Sequence, residues 1–155
     1  MDARQSPDEA LDTLWGPILA ESPSVYIYVE GVRSNKALSG AGVFFGPSSP
    51  SNMSLVVPGP EPGTADRARI FAIHEVLQRI SPTVRLVIFC TSKSVIRQLC
   101  YAAAINLALG WPGANGDIFK ATVKLLSARH ARTCFVYVES NADNESRKHA
   151  CFLAK

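Results

Sequence analysis

Val25-Tyr26-Ile27-Tyr28-Val29-Glu30-Gly31 and, after a polar loop through Ser39, Gly40-Ala41-Gly42-Val43-Phe44-Phe45-Gly46 are the two stretches that decide how this chain is read. The first is β-branched and aromatic, which suits a pleated and half-buried surface, so Val25 to Val29 is expected to be a strand ending at Glu30-Gly31. The second is a glycine-bounded apolar run and predicts another strand. A third, Met53 to Val57, follows the Pro/Ser/Asn-rich turn at 47–52. Three strands this close in sequence predict an antiparallel meander.

Toward the C-terminus the period changes. Ala68, Phe71, Ala72, Val76 and Ile80 recur at helical spacing and predict a helix over about 65–80. Arg85 to Phe89 is a continuous apolar run suited to a buried central strand. A helix is expected from Ser92 to about Ala103 and another from Gly116 or Asp117 to Arg129. A fifth strand, Thr133 to Val138, and a last helix from about Asn144 to the C-terminus complete the order βββ-α-β-α-α-β-α. That order predicts an α/β fold, a five-stranded mixed sheet with helices on both faces.

Toward the N-terminus, Ser6 with Glu9 three residues on, and Pro7 between them, forms a capping-box pattern. It predicts a short helix over 7–14 that Gly16-Pro17 ends. The expected organisation is a helical extension and linker at 1–23 and one domain at 24–155. Leu11, Leu14, Trp15, Ile18 and Leu19 give residues 7–20 an apolar stripe for docking, on a protein partner or on the chain's own domain.

The 155 residues are 47% hydrophobic and 19% charged, an ordinary globular balance. No apolar run approaches the roughly 18 residues of a membrane span, and the polar, acidic N-terminus resembles no targeting peptide. An intracellular protein with no membrane association is expected. Residues 1–80 carry 6 basic and 9 acidic groups, net −3, and residues 81–155 carry 10 and 4, net +6. So small a basic excess only weakly favours nucleic acid over solvated surface charge. Cys90, Cys100, Cys134 and Cys151 show no C-x-x-C pairing or zinc-ligand spacing. Cys90 and Cys134 sit in apolar runs and are expected to be small core residues.

These segments, in this order, resemble the type 1 ribonuclease H family over about residues 24–155. Tyr28-Val29-Glu30-Gly31 followed by Gly40 to Pro47 is similar to the family's first strand, which ends in Asp-Gly, and its glycine-bounded second strand. Val57-Pro58-Gly59-Pro60 and Thr64 to Ile70 resemble its Pro-Gly segment leading into Thr-Asn-Gln-Arg-Ala-Glu. Leu86 to Ser92 resembles the strand that ends in Thr-Asp-Ser. Asn115 to Lys120, Asn144-Glu145 and Ala150 to Ala154 resemble the opening of a later helix and the closing Asn-Glu and Ala-Asp-x-Leu-Ala.

The resemblance implies a ribonuclease H-like fold and a site where four carboxylates hold two divalent ions, usually magnesium, to cleave the RNA strand of an RNA–DNA hybrid. Here the matching positions are Glu30, Arg69, Thr91 and, across a two-residue insertion, Cys151; the family's mobile histidine is matched by Asn141. Magnesium needs hard oxygen ligands in near-octahedral array. A guanidinium about 4 Å from a divalent ion opposes its binding by several kcal/mol at an effective dielectric of about 20, and arginine cannot shed its charge. The expectation is a degenerate, non-cleaving domain that needs no cofactor and acts as a nucleic-acid-binding or scaffolding module. The alternative is an active hybrid nuclease whose Mg2+ or Mn2+ is held by a substitute cluster of Glu30, Asp66 and Asp143.

The family's hybrid-contacting Asn and Gln are matched by Ala65 and Asp66, which weakens any grip on RNA–DNA hybrid. Candidate nucleic-acid contacts are Arg67 and Arg69, as a phosphate clamp, and Trp111, as a stacking platform. Each also has a plainer reading: exposed helix arginines, and a tryptophan that anchors its loop. Glu30 is more readily read as a solvated residue at a strand end than as a residual metal ligand, and Cys151 as a buried small residue rather than a reactive thiol. His74 and Glu75, being adjacent on a helix, are expected to point apart. His130 and His149 are expected at the surface.

Overall fold

The computed structural model describes residues 12–16, 24–33, 39–58, 64–113, 115–139 and 145–155. Among the described residues six strands form one mixed sheet: β1 (Asp12–Trp15), β2 (Ser24–Arg33), β3 (Ser39–Phe44), β4 (Met53–Val57), β5 (Arg85–Cys90) and β6 (Thr133–Tyr137), in the order β1-β6-β5-β2-β3-β4. The meander β2-β3-β4 is antiparallel, and β5 joins β2 and β6 in parallel. The helices are α1 (Ala65–Arg79), α2 (Lys93–Cys100), α3 (Ala103–Ala108), α4 (Gly116–Ser127) and α5 (Glu145–Ala154). Among the described residues no helix is long and apolar enough to cross a membrane.

The expected sheet of five strands is corrected to six. Asp12 to Leu14, read as the end of a helix, instead forms β1 with Trp15, antiparallel to β6; residues 7–11 lie outside the described residues. At Asp12 to Trp15 the pairing with the edge of β6 outweighs any local preference for helix. Thr13 and Trp15 turn toward the core side, where the Thr13 hydroxyl donates to Cys100 Sγ of α2 at 3.1 Å. Leu14 turns outward and is half exposed. Gly16, at φ +87°, ends the strand in a conformation that suits glycine. Part of the stretch offered to a partner is thus built into the chain's own sheet.

The single helix expected over 92–103 is two helices, broken at Tyr101-Ala102. Ser92 caps α2 by accepting from the Val95 N–H at 3.2 Å. On one face of the sheet Ile27, Val29, Leu86, Ile88 and Phe135 meet Ile70, Ile73 and Val76 of α1 and Phe119 of α4, all buried. On the other face α5 packs over β2, β3 and β4. Gly40 and Gly42 make that close approach possible, because a Cβ at either would collide with the carbonyl oxygen of Ala154 or Ala150.

Candidate functional site

Three of the four positions singled out in the sequence meet at one point. Glu30 lies on β2, one residue beyond Val29, which pairs with Cys90, so Thr91 just after β5 stands beside it. The third, Arg69, comes from the helix above. Thr64 starts that helix by accepting from the Arg67 N–H at 3.0 Å. Gly31 lets it come close: a Cβ there would be 2.7 Å from Ala68 Cβ and 2.8 Å from the Arg69 nitrogen. The missing side chain at 31 therefore sets how near Arg69 stands to Glu30.

Arg69 Nε donates to Glu30 Oε1 at 2.8 Å, and its Nη1 donates to Asp66 Oδ1 at 2.9 Å. The Thr91 hydroxyl lies 2.9 and 3.0 Å from the two Glu30 oxygens, and the Gly31 N–H donates to Oε1 at 3.0 Å. The Glu30 side chain is 4% exposed and that of Arg69 17%, so this is a buried ion pair and not a solvated strand end. Burial by itself would lower the Arg69 pKa; the charge of Glu30 and the hydrogen bonds outweigh it and hold the group above its ordinary value. Beneath the cluster, burial pushes the Cys90 thiol up to about 12, despite the opposing effects of a backbone hydrogen bond from Ser92 and the charge of Arg69.

These residues do not fit a pair of divalent ions. One Glu30 oxygen already accepts from an arginine, a hydroxyl and an amide, and Asp66 accepts from the same arginine. The positive charge is covalently part of the chain. Among the described residues no three His, Cys, Asp or Glu side chains are grouped to hold a metal. Asp143 and Asn141 lie outside the described residues, and Cys151 is half-buried on α5.

The nucleic-acid candidates are all occupied or covered. Arg67, 7% exposed at the side chain, forms a two-pronged ion pair with Asp117 of α4, at 3.0 and 2.9 Å, and its Nε donates to the Pro58 carbonyl at 3.2 Å. It is not an exposed helix arginine but a clasp between α1 and α4. The hydrogen bonds from Arg67 hold the Asp117 carboxyl below its ordinary range. Arg69 is committed to Glu30 and Asp66. Trp111 is buried at 5% exposure and stacks on Phe119 with ring centroids 5.3 Å apart, so it anchors its loop and offers no free face to a base.

Asp117 was not singled out in the sequence. Its one signal was its place just after Asn115-Gly116, where Asn115 at φ +65° turns the chain into α4. His74 Nδ1 and Glu75 Oε1 come to 3.7 Å, longer than a hydrogen bond. His130 and His149 are exposed as expected, and His149 stacks on Phe44 at 4.8 Å.

No protein-family model matches the sequence, and no curated protein matches it. Among solved structures the chain is similar to LC9-RNase H1, described as a type 1 RNase H with the type 2 active-site motif. The TM-score is 0.66 at 18% identity, over 86% of this chain and 71% of that one. At that identity the likeness shows the fold: the chain has the ribonuclease H-like architecture expected from its segments.

Proposed function

We propose that this chain is a non-catalytic ribonuclease H-like module whose old cleft is closed by an internal cation. The observation that carries this is the bond from Arg69 to Glu30 at 2.8 Å, with Thr91 on both Glu30 oxygens. A carboxylate engaged in this way is withdrawn from metal binding, and a fixed guanidinium beside it repels a divalent ion. Since Arg67, Arg69 and Trp111 are turned to internal contacts, the module serves as a scaffold, and gripping RNA–DNA hybrid is secondary to it.

The test is incubation of the purified protein with labelled RNA–DNA hybrid in magnesium and, separately, in manganese, beside Glu30→Ala. No cleavage is expected, and neither ion should raise the melting temperature. Metal-dependent cleavage that Glu30→Ala abolishes would overturn the reading in favour of a rearranged carboxylate site. A complementary variant restores the family's ligands: Arg69→Glu with Thr91→Asp should bind manganese and gain several degrees in melting temperature at saturating ion.

A further inference from the structure

α3 is apolar on nearly every side and yet stands in solvent. Of its six residues Ala103 is buried, while Ala104, Ile105, Leu107 and Ala108 are exposed. Tyr101, Ile105 and Leu109 are 63, 65 and 66% exposed and recur every four residues, so they form one ridge along the segment. Among the described residues α3 packs chiefly on α2. A helix that is apolar all round is normally covered, and one this short is not stable by itself. The segment is nonetheless fixed at its far end. The Trp111 N–H donates to the Asn106 carbonyl at 2.6 Å, and the Trp111 ring is buried against Phe119. The ridge is therefore carried on a held backbone, which lowers the ordering cost of binding.

Charge and shape select a second copy of the chain as the occupant. The nineteen residues from Gln98 to Gly116 contain no Asp, Glu, Lys, Arg or His. Such a stretch has no sign with which to attract an acidic or a basic partner, and two copies can face each other without setting like charge on like. Phe152, 77% exposed on α5, lacks that property. Lys148 four residues before it and Lys155 three after flank it, and a two-fold contact there would oppose them to their own copies. Beside the ridge of Tyr101, Ile105 and Leu109 runs the row of Ala104 and Ala108, small enough to be its groove. The surface is thus complementary to itself, ridge into groove. We infer that two copies of this chain associate through α3 about a two-fold axis, the Ile105–Leu109 ridge of each lying in the Ala104–Ala108 groove of the other. A patch of a few hundred Å2 per copy buries less than the roughly 1,200 Å2 of a stable complex. The dimer is therefore weak, with a dissociation constant on the order of 0.1 mM. The inference needs the fold alone and does not depend on whether the chain cleaves nucleic acid.

Sedimentation velocity of the full chain from about 5 to about 500 µM brackets that constant. The average mass should rise across the range from that of one chain, 16.7 kDa, toward that of two. Ile105→Asp places a charge in each half of the contact and should leave the protein monomeric throughout, a loss of at least about tenfold in association. Phe152→Asp should change nothing. Both positions are exposed, and circular dichroism with melting curves checks that each variant is folded. A monomer at every concentration would overturn the proposal, as would a dimer that survives Ile105→Asp or that Phe152→Asp dissociates. So would a monomer that floats with phosphatidylcholine vesicles and loses this with Ile105→Asp, since a lipid surface would then be the occupant.

Discussion

Arg67 and Arg69 are two residues apart on the same turn of α1, yet they face in different directions and do different work. Arg69 reaches down to the sheet, where Glu30 is almost fully buried and Thr91 and Gly31 complete its hydrogen bonds. Arg67 reaches sideways to α4, where Asp117 is 65% exposed at its side chain. The contrast lies in the partner rather than in the arginine. A carboxylate with no access to water depends on its cation, whereas an exposed one has solvent as an alternative.

The largest expected effect is therefore at Arg69. Arg69→Ala strands the Glu30 carboxylate with neutral donors alone and should cost about 3 kcal/mol of stability, read as a fall in urea midpoint at unchanged slope. Adding Glu30→Ala to it should recover part of the loss, giving a coupling above about 1 kcal/mol in a double-mutant cycle. Additive losses would show that the pair is not a unit.

Asp117→Asn should cost less, about 1 kcal/mol or below in moderate salt, because the exposed half of that pair is screened. Raising salt should shrink this difference and leave the Arg69 loss nearly unchanged; equal salt sensitivity would erase the contrast. The pH dependence follows from the sign of the shift. The Asp117 carboxyl lies below its ordinary 3.8 in the folded state, so its contribution is complete above that value and is lost as pH falls through the lower folded one. The gap between the native chain and Asp117→Asn should be flat at neutral pH and close only below about pH 4.

The smallest effect concerns Cys90, whose thiol is pushed up to about 12 by burial beneath the Arg69 cluster. It should be the last of the four cysteines alkylated in the native protein at pH 8, and Arg69→Ala, which removes a positive charge that opposes the upward shift, should not speed its labelling relative to Cys151. Mass spectrometry of partially labelled protein reads both.

The strands of the meander and β5 were legible because their residues carry the signal themselves: β-branched and aromatic runs closed by glycine. The same holds for α1, whose apolar spacing is regular over its length. β1 was hidden because Ser6-Pro7-Asp8-Glu9 is a good local helix start, and nothing near Asp12–Trp15 announces the free edge of β6 more than a hundred residues on. At the site, the sequence identified Glu30, Arg69 and Thr91 as one constellation, and the geometry unites them. It did not disclose the Arg67 clasp, since that depends on how Asn115 turns the chain into α4, nor the inward turn of Trp111, which packing against Phe119 decides.

The bond between Arg69 and Glu30 has a consequence for how the cleft meets its surroundings. A cluster of bare carboxylates takes its countercharge from solution, so its electrostatics follow whatever ion the cell or the buffer supplies, and a chelator can strip it. Here the countercharge is written into the gene, one per molecule, and arrives with the backbone. On the proposed reading a chelator should remove nothing from Glu30, and the helix that brings Arg69 should stay held to the sheet at any magnesium concentration.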